Sequence, residues 1–398
     1  MTGRYSVCAV LDSRSISAII TTIDNPMIDI FPIDYYTKIF YWTMFVFCTL
    51  TVLYYHDSKG CVKLLRQNSI LLPLLLSTVL IFFIGLRPIS WIFSDMVLYR
   101  HRWNIIDTDL YVSNFGLGSE WFFDTVMIMC KKTVPDAQFC FLVIDIFYIG
   151  CQLWACKKLL WENVWLAIMF VFFSYQFFTY GTNGLRNGMG CALMMLSISY
   201  FCDRSKLGFF VGFLLFILAM GCHRSVLVPM TALVASLFVI KDINKAIIIW
   251  LGCIVLSLLA GNSIMGFFEN LGYDNRMSDY STISDNLQSQ FSHIGFRWDF
   301  LLYSTMPISL AWYIRRLGVQ DKTFTILANT YILANSFWVL VCRAAFSNRF
   351  AYLSWFMYAL VIAYAVIRIP IWKDQDRKAS QILFAHSFFT IFMFVIGR

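Results

Sequence analysis

Uncharged apolar stretches recur along almost the whole chain, and they limit the possible folds more than any other feature. Residues 187–202, for example, contain no Asp, Glu, Lys or Arg. Such stretches can cross roughly 30 Å of bilayer hydrocarbon, and a backbone in lipid must satisfy its hydrogen bonds within a helix. Only 14% of the 398 residues are charged, whereas soluble domains carry roughly 25%. The sequence therefore predicts an all-α polytopic membrane protein.

The apolar runs predict about twelve transmembrane helices. They are expected near residues 38–56, 69–86, 137–156, 164–181, 185–202, 207–222, 225–240, 246–267, 298–314, 323–342, 350–368 and 380–396. Residues 1–36 are predicted to be an external N-terminal segment, because four acids interrupt them and no apolar run is adequate for a span or a signal peptide. We expect residues 37–398 to form one transmembrane domain with two longer outer loops, 87–136 and 268–297.

The distribution of lysine and arginine predicts the orientation of the chain. These residues accumulate in alternate loops, which are 56–68, 157–163, 203–206, 241–245, 315–322 and 368–378. Since basic loops stay on the cytoplasmic side, we expect these loops inside and the N-terminus outside. The outer loops carry arginines at helix mouths, namely Arg87, Arg186, Arg224, Arg297, Arg343 and Arg349. The set indicates a concave, guanidinium-lined outer site, although each arginine alone also fits snorkelling to lipid phosphate or pairing with an acid.

The stretch TNGLRNG, residues 182–188, carries an arginine at the start of a predicted helix. Asn183 is the expected N-cap of that helix, which places Arg186 in its first turn. Free backbone N–H groups and the positive end of the helix dipole attract an anion there. A guanidinium binds phosphate through two parallel hydrogen bonds, whereas a lysine offers only a point charge. Arg186 is therefore a candidate phosphate ligand.

Acidic residues follow two of the outer helix ends. In GLRPISWIFSDMVLY, residues 85–99, Arg87 lies at the lipid boundary, and Asp95 and Tyr99 have i, i+4 spacing, which puts carboxylate and phenol on one helical face. Asp95 is a candidate for orienting a guanidinium and equally fits a surface acid. Glu120 precedes aromatic residues typical of a helix in the membrane interface. Its carboxylate either binds sugar hydroxyls or caps that helix.

A tight outer turn contains a histidine. His223 stands beside Arg224 and Ser225. Imidazole titrates near neutral pH, so His223 is a candidate base for a hydroxyl, and it is equally plausible as a structural histidine. No HxxxH or HExxH pattern accompanies it, so a metal site built around this histidine is not expected.

Two arginines bracket another outer turn. Arg343 and Arg349 face each other across a predicted five-residue hairpin, and Asn348 and Tyr352 flank the second arginine. Two facing cations repel unless an anion lies between them. A lipid diphosphate would supply that anion.

Asp145 lies near the middle of a predicted span, where a carboxyl group is costly. We expect it to face the bundle and to find a hydroxyl or Asn partner, with proton or substrate handling as the alternative. The twelve cysteines include no CxxC pair, and most of them lie in apolar runs. They are predicted to be small core residues, and we expect neither a metal nor another cofactor.

Taken in order along the chain, these motifs resemble a known family. The order is Arg, Asp and Tyr after the second span, Glu before an aromatic segment, Arg-Asn opening the fifth span, His-x-Ser between the sixth and seventh, and Asn-Arg-x-x-Tyr opening the eleventh. Over roughly residues 38–370 the set resembles the EpsG-like branch of bacterial polysaccharide polymerases, related to Wzy. Two positions depart from that pattern. Ser94 stands where the family usually has Gly, and Asn187 stands where Gln is common.

The resemblance implies a metal-independent, glycosyltransferase-type polymerase at the outer face of the bacterial inner membrane. Its substrate would be undecaprenyl-diphosphate-linked repeat units of O-antigen lipopolysaccharide, capsule or exopolysaccharide. The candidate catalytic residues are His223, Arg186, Asp95 and Glu120. The candidate substrate-binding residues are Arg87, Tyr99, Asn187, Arg224, Arg343, Asn348, Arg349 and Tyr352. The implied partners are the lipid-linked glycan and the bilayer, with a chain-length regulator as a further candidate and no nucleic acid.

The resemblance also assigns roles to some of these residues. It implies diphosphate binding by Arg87, Arg186 and Arg349. It makes His223 the base or the group that orients the acceptor. It implies that three residues of the predicted outer face position the sugar, namely Asp95, Tyr99 and Glu120.

Two other functions stay open at this point. An O-antigen ligase or another lipid-linked-sugar glycosyltransferase would be favoured by dependence on Mg²⁺ or Mn²⁺ and on Asp107 or Asp109, which form a short acidic DTD motif. A flippase or transporter for an anionic lipid-linked sugar would move its substrate without changing chain length. It would also need basic residues deep inside the spans, and we see them only at helix mouths.

Overall fold

The computed structural model describes residues 32–56, 70–93, 95–109, 113, 119–270, 296–344 and 347–396. Within these ranges the chain forms sixteen α-helices and short 3₁₀ turns, without a β-strand. The helices are α1 (Ile33–His56), α2 (Leu71–Gly85), α3 (Met96–Ile105), α4 (Trp121–Thr133), α5 (Ala137–Leu159), α6 (Val164–Phe172), α7 (Phe177–Thr182), α8 (Leu185–Phe201), α9 (Lys206–Cys222), α10 (Leu227–Phe238), α11 (Ile243–Asn270), α12 (Trp298–Arg316), α13 (Lys322–Leu340), α14 (Ser347–Trp355), α15 (Tyr358–Arg368) and α16 (Gln375–Ile396).

In the part of the chain that the structure describes, six helical segments are long and apolar enough to cross a membrane. They are Ile33–His56, Ala137–Leu159, Ile243–Gly261, Lys322–Leu340, Ser347–Arg368 and Gln375–Ile396. Four further apolar segments are shorter, namely Leu71–Gly85, Trp161–Phe172, Lys206–Cys222 and Arg224–Phe238. The predicted all-helical, multi-pass class is confirmed, whereas the count of twelve spans stays a prediction.

Two predicted spans are interrupted. The span predicted at 164–181 divides into α6 and α7, and the span predicted at 350–368 divides into α14 and α15. The first of the predicted outer loops contains two helices, α3 and α4. Most of the second outer loop and of the N-terminal segment lies outside the described residues.

The turn between α7 and α8 differs from the prediction in one detail. Gly184, not Asn183, is the N-cap of α8, and it makes no side-chain capping bond. Asn183 instead follows the last residue of α7, where its backbone N–H bonds to Thr179 O. A Cβ on Gly188 would lie 2.4 Å from Tyr180 O, so only glycine allows the start of α8 to lie this close to α7. The close approach of Gly188 to Tyr180 O, and not capping by Asn183, therefore determines how α8 follows α7.

Helix α8 lies inside the bundle, packed against α5 and α9. The segment from α14 to α15 is also enclosed, with 94% of its most apolar stretch buried, whereas only 22% of the most apolar stretch of α11 is buried. The outward side chains of α11 therefore belong to the lipid-facing surface. Buried Asn335 of α13 links three neighbouring helices. Its Nδ2 donates to Ser304 of α12 and Ser354 of α14, and its Oδ1 accepts from Trp250 of α11.

Apart from the buried pair Arg87–Asp145, the ion pairs of the described residues separate to the two ends of the bundle. Ion pairs such as Arg349–Asp95 join residues of the predicted outer loops, whereas Arg315–Asp242 and Lys158–Asp203 join residues of the predicted inner loops. We call the end that carries Arg186 the site end and the opposite end the basic-loop end.

Candidate active site

Arg186, in the first turn of α8, lies at the centre of the candidate site. Its Nη1 donates to Glu120 Oε2 at 2.5 Å, and its Nε donates to the Tyr99 hydroxyl at 3.4 Å. Tyr99 belongs to α3 and Glu120 precedes α4, so these contacts join three elements. The Arg186 side chain keeps 18% of its surface exposed, so it is not fully enclosed by these contacts. The structure thus brings together three residues that the sequence had singled out separately.

Glu120 also binds a second arginine. Arg102 Nη1 donates to Glu120 Oε2 at 3.0 Å, and Arg102 Nη2 lies 2.7 Å from the Asp124 carboxylate. We call Tyr99, Arg102, Glu120, Asp124 and Arg186 the arginine–carboxylate cluster. Glu120 is the N-cap residue of α4 but makes no side-chain capping bond.

The charge state of Glu120 follows from these contacts. Burial alone would raise the pKa of its carboxyl group, but Arg186, Arg102 and His223 outweigh burial and hold that pKa below its usual range. Glu120 is therefore an ionised anchor for guanidinium groups. Its environment is the opposite of one that prepares a carboxylate to take a proton near neutral pH.

His223 lies close enough to Glu120 to lower the pKa of that carboxyl. The approach depends on Gly221, because a Cβ there would lie 2.6 Å from the Trp121 ring, and α9 could not lie this close to α4. The Ser225 backbone N–H donates to His223 Nδ1 at 3.2 Å, and the Ser225 hydroxyl is 2.5 Å from the same nitrogen. A backbone N–H can only donate, so Nδ1 carries the lone pair and a neutral ring has its proton on Nε2.

A second pair lies one turn of α3 away from the cluster. Arg349 Nη2 is 3.6 Å from Asp95 Oδ2, and Asp95 is the N-cap residue of the helix that carries Tyr99. Tyr352, one turn after Arg349, stacks face to face on Tyr180 of α7. Asp95 thus lies beside a guanidinium. This position fits the interpretation that Asp95 orients an arginine better than the interpretation that it is a surface acid.

Asn348 connects α14 to the same region through its backbone. Its carbonyl accepts a hydrogen bond from the Tyr180 hydroxyl at 3.4 Å. The contact is with the main chain, so it does not engage the side-chain amide of Asn348, a residue that is half-buried.

Arg87 does not lie at the surface of the site. Its side chain is fully buried, and its Nη1 donates to Asp145 Oδ2 at 3.1 Å and to Ile84 O at 2.5 Å. Its Nη2 donates to Thr182 O, at the end of α7, at 3.0 Å. The partner of Asp145 is therefore an arginine and not the expected hydroxyl or Asn. With no exposed surface Arg87 contacts no diphosphate in this arrangement, and it holds the turn that leads to Arg186.

Three other candidate residues lie outside the cluster. Asn187 is buried, and its Oδ1 accepts from Cys191 Sγ at 3.3 Å within α8. Arg224 is exposed beside His223. Arg343 packs against Gly261 of α11, and its Nε is buried without a hydrogen-bond partner in the described part of the chain. The predicted facing of Arg343 and Arg349 across their turn stays a prediction.

Two residues of the cluster were not singled out from the sequence. Arg102 follows Tyr99 by three residues and Asp124 follows Glu120 by four, so each lies on the helical face of its neighbour. Helical spacing applied to α3 and α4 would have found both. The DTD acids are exposed, and Asp109 N–H donates to Asp107 Oδ1 at 2.8 Å. Among the described residues no group of three or more His, Cys, Asp or Glu side chains could hold a metal ion.

The fold and the cluster define a multi-pass, all-helical membrane protein with a partly exposed, arginine-rich polar site at one end of its bundle. The model of the EpsG family matches residues 70–398, and the chain belongs to this family. The family indicates a polymerase of polysaccharide biosynthesis, similar to a glycosyltransferase. The resemblance seen in the sequence is thereby confirmed. No curated protein and no solved structure matches the chain.

Proposed function

We propose that this protein joins oligosaccharide repeat units carried on undecaprenyl diphosphate, at the outer face of the bacterial inner membrane. The observation that carries the proposal is the partly exposed Arg186 guanidinium in the first turn of α8, fixed by Glu120 and Tyr99. Family membership supports the reaction class. O-antigen, capsule and exopolysaccharide units share the same diphosphate chemistry, so the proposal covers all three.

The diphosphate would bind between Arg186 and Arg349. Arg186 uses Nη1 and Nε for its described contacts, so Nη2 faces no partner in this part of the chain and can meet a phosphate oxygen. Arg349 lies 3.6 Å from Asp95 with 38% of its side chain exposed. Because carboxylates already hold both guanidinium groups, little reorganisation is needed when negative charge develops on the leaving diphosphate.

The bond changes are those of a glycosyl transfer. The acceptor hydroxyl oxygen bonds to C1 of the donor sugar, and the bond from C1 to the diphosphate oxygen breaks. The lipid diphosphate leaves with the bonding electrons, and Arg186 stabilises its charge. The acceptor proton must go to a base.

We assign the base role to His223 acting through Ser225. The lone pair of the ring is on Nδ1, which points at the Ser225 hydroxyl. The acceptor therefore gives its proton to Ser225 Oγ while Ser225 gives its own proton to Nδ1, and the hydrogen bond from Ser225 N–H to Nδ1 breaks as the lone pair takes that proton. The imidazolium that forms lies near the ionised Glu120, whose charge stabilises it.

The test is the length distribution of surface glycan in cells that lack the gene. We expect a ladder reduced to one repeat unit, with the single units still exposed outside. Lipid-linked single units that fail to reach the outer face would instead show a flippase. Normal chains that are not transferred to their final acceptor would show a ligase. Either result would overturn the proposal.

A further inference from the structure

The basic-loop end contains a pocket that the proposed reaction does not use. Its volume is 410 Å³, within the range of small-molecule sites, roughly 300–1,000 Å³. The α8–α9 turn, the end of α10, the α10–α11 link, the end of α12 and the start of α13 surround it. Its charged lining consists of Arg204, Lys241, Asp242, Arg315, Asp321 and Lys322.

The two acids of the pocket are engaged by the protein itself. Asp242 Oδ1 accepts from Asn244 N–H at 2.9 Å and lies 3.5 Å from Arg315 Nε. Asp321 caps α13 by accepting from Phe324 N–H at 2.7 Å. The lining holds four cations, Arg204, Lys241, Arg315 and Lys322, against these two acids, so its net charge is positive.

Three of the cations have no ion-pair partner in the part of the chain that the structure describes. Arg204, Lys241 and Lys322 are all exposed at the pocket. Arg204 also adopts a left-handed backbone conformation, with φ 54°, which glycine adopts at lower cost. The turn itself therefore does not explain an arginine at this position, whereas a need for positive charge at the pocket does.

The pocket wall is not uniformly charged. Leu237, Ile243 and Ile326 add apolar surface, and Gln320 and Thr325 add neutral hydrogen-bonding groups. This composition fits a ligand that carries both an anionic group and a carbon skeleton. A simple solvated patch of topology-determining lysines would need neither the concavity nor the apolar wall.

We propose that this pocket binds a phosphate-bearing anion of small-molecule size, through Arg204, Lys241 and Lys322. The ligand is a phosphate ester, supplied either by the headgroup of an anionic phospholipid or by a soluble phosphorylated compound. The pocket and the arginine–carboxylate cluster lie beyond opposite ends of α8, which has 17 residues and is thus roughly 26 Å long. The inference is therefore independent of the reaction at the site end.

The first experiment uses the unaltered protein and measures the rate at which an amine-reactive ester acetylates each lysine. The soluble probe is inorganic pyrophosphate, added to protein in phosphatidylcholine nanodiscs. The lipid probe is the same protein in phosphatidylglycerol nanodiscs. We expect acetylation of Lys241 and Lys322 to slow at least about threefold with one probe. The exposed Lys373 and Lys378, which lie outside the pocket, should be unaffected.

The pattern identifies the source of the anion. Protection by pyrophosphate points to a soluble ligand, and protection only in phosphatidylglycerol points to a headgroup. Equal protection of all four lysines would show diffuse electrostatics, and no protection would show an empty pocket. Both of these results would overturn the proposal.

The second experiment compares two triple variants with equal loss of charge. Arg204→Gln with Lys241→Gln and Lys322→Gln alters the pocket, whereas Arg377→Gln with Lys373→Gln and Lys378→Gln alters exposed residues elsewhere at the same end. Because each charge-assisted hydrogen bond contributes measurably, the first variant should bind the protecting anion at least about tenfold more weakly than the parent. The second should bind it as the parent does. Equal affinity of the two variants would contradict the inference.

Discussion

Arg186 divides its hydrogen bonds between two acceptors from different helices. Its Nη1 meets Glu120 and its Nε meets Tyr99, which leaves the third nitrogen of the planar group for a ligand. A lysine has one nitrogen on a flexible chain, so it can keep the charge but cannot hold this arrangement. The residue type, and not only its charge, is therefore tied to the proposed site.

This argument predicts that Arg186→Lys loses nearly as much activity as Arg186→Ala. We expect a fall in polymerisation rate of about a hundredfold or more, since an oriented donor to the leaving group is lost. Membrane abundance should not change. Rates are measured in membranes supplied with lipid-linked repeat units. Arg297→Lys is the matched control, because Arg297 pairs with Asp299 outside the cluster. Full activity in Arg186→Lys would show that diffuse charge is enough.

The proton route through Ser225 leads to a second prediction. Ser225→Ala removes the hydroxyl that lies 2.5 Å from His223 Nδ1 but keeps the backbone N–H that orients the ring. We expect Ser225→Ala and His223→Gln to lower the rate similarly, by about 10²–10⁴-fold, while lipid-linked single units still bind and accumulate. Ser225→Thr, which retains a hydroxyl, should recover part of the rate. A normal polymerisation rate in Ser225→Ala would contradict proton transfer through the Ser225 hydroxyl.

The pH dependence separates His223 from Glu120. The pKa of Glu120 is lowered, so its contact with Arg186 is fully present above the usual glutamate pKa of about 4.3 and is lost only as pH falls through the lowered value. A rate change near neutral pH must then come from another group, and imidazole titrates there. We expect the neutral limb of the pH–rate profile to persist in Glu120→Gln and to disappear in His223→Gln. The opposite result would make Glu120 the base.

At the scale of helices, the sequence predicts which residues of one helix belong to the site better than it predicts which residues of different helices contact each other. Local spacing places Asp95 and Tyr99 on one helical face, because that relation depends only on the pitch of α3. The partner of Asp145 is 58 residues away in sequence, and no local pattern encodes such a pairing. The breaks in the spans predicted at 164–181 and 350–368 were also missed, since hydropathy does not distinguish one helix from two short ones in line.

The buried pair between α2 and α5 gives a prediction at this scale. Arg87→Met leaves Asp145 as an unpaired buried charge, so it should destabilise the protein by about 3–5 kcal/mol. Adding Asp145→Leu removes that charge and should restore most of the stability, since a buried pair replaced by apolar residues is often tolerated. Thermal unfolding in detergent measures both variants.

Activity of the double variant then decides the role of Arg87. If Arg87 only positions the turn before Arg186, the double variant should recover both stability and a substantial part of the polymerisation rate. If Arg87 contacts the diphosphate, as the family resemblance implied, the double variant will be stable and inactive. The second result would mean that the bundle rearranges to expose Arg87 during the reaction.

At the scale of the whole molecule, the two ends of the bundle have different polar character. The site end pairs arginines with carboxylates. The basic-loop end has the pairs Arg315–Asp242 and Lys158–Asp203, and it also has three pocket cations, Arg204, Lys241 and Lys322, without an ion-pair partner among the described residues. Hydropathy and the distribution of basic loops indicated this separation, because both properties are set by the bilayer. They do not indicate which outer residues meet, since that depends on how α3, α4, α8 and α14 pack. The sequence therefore predicts which end of the bundle holds such a site more readily than it predicts the geometry of that site.

The last prediction concerns that sidedness. The distribution of basic loops predicts that the site end lies outside and the pocket inside, so a membrane-impermeant maleimide applied to intact cells should label Asp109→Cys and spare Asn244→Cys. Both positions are exposed in the structure, and a cysteine-free background keeps the native thiols from contributing. Permeabilised cells provide the control, because both variants should then react equally. Labelling of Asn244→Cys alone in intact cells would put the arginine–carboxylate cluster in the cytoplasm, where polymerisation at the outer face is impossible.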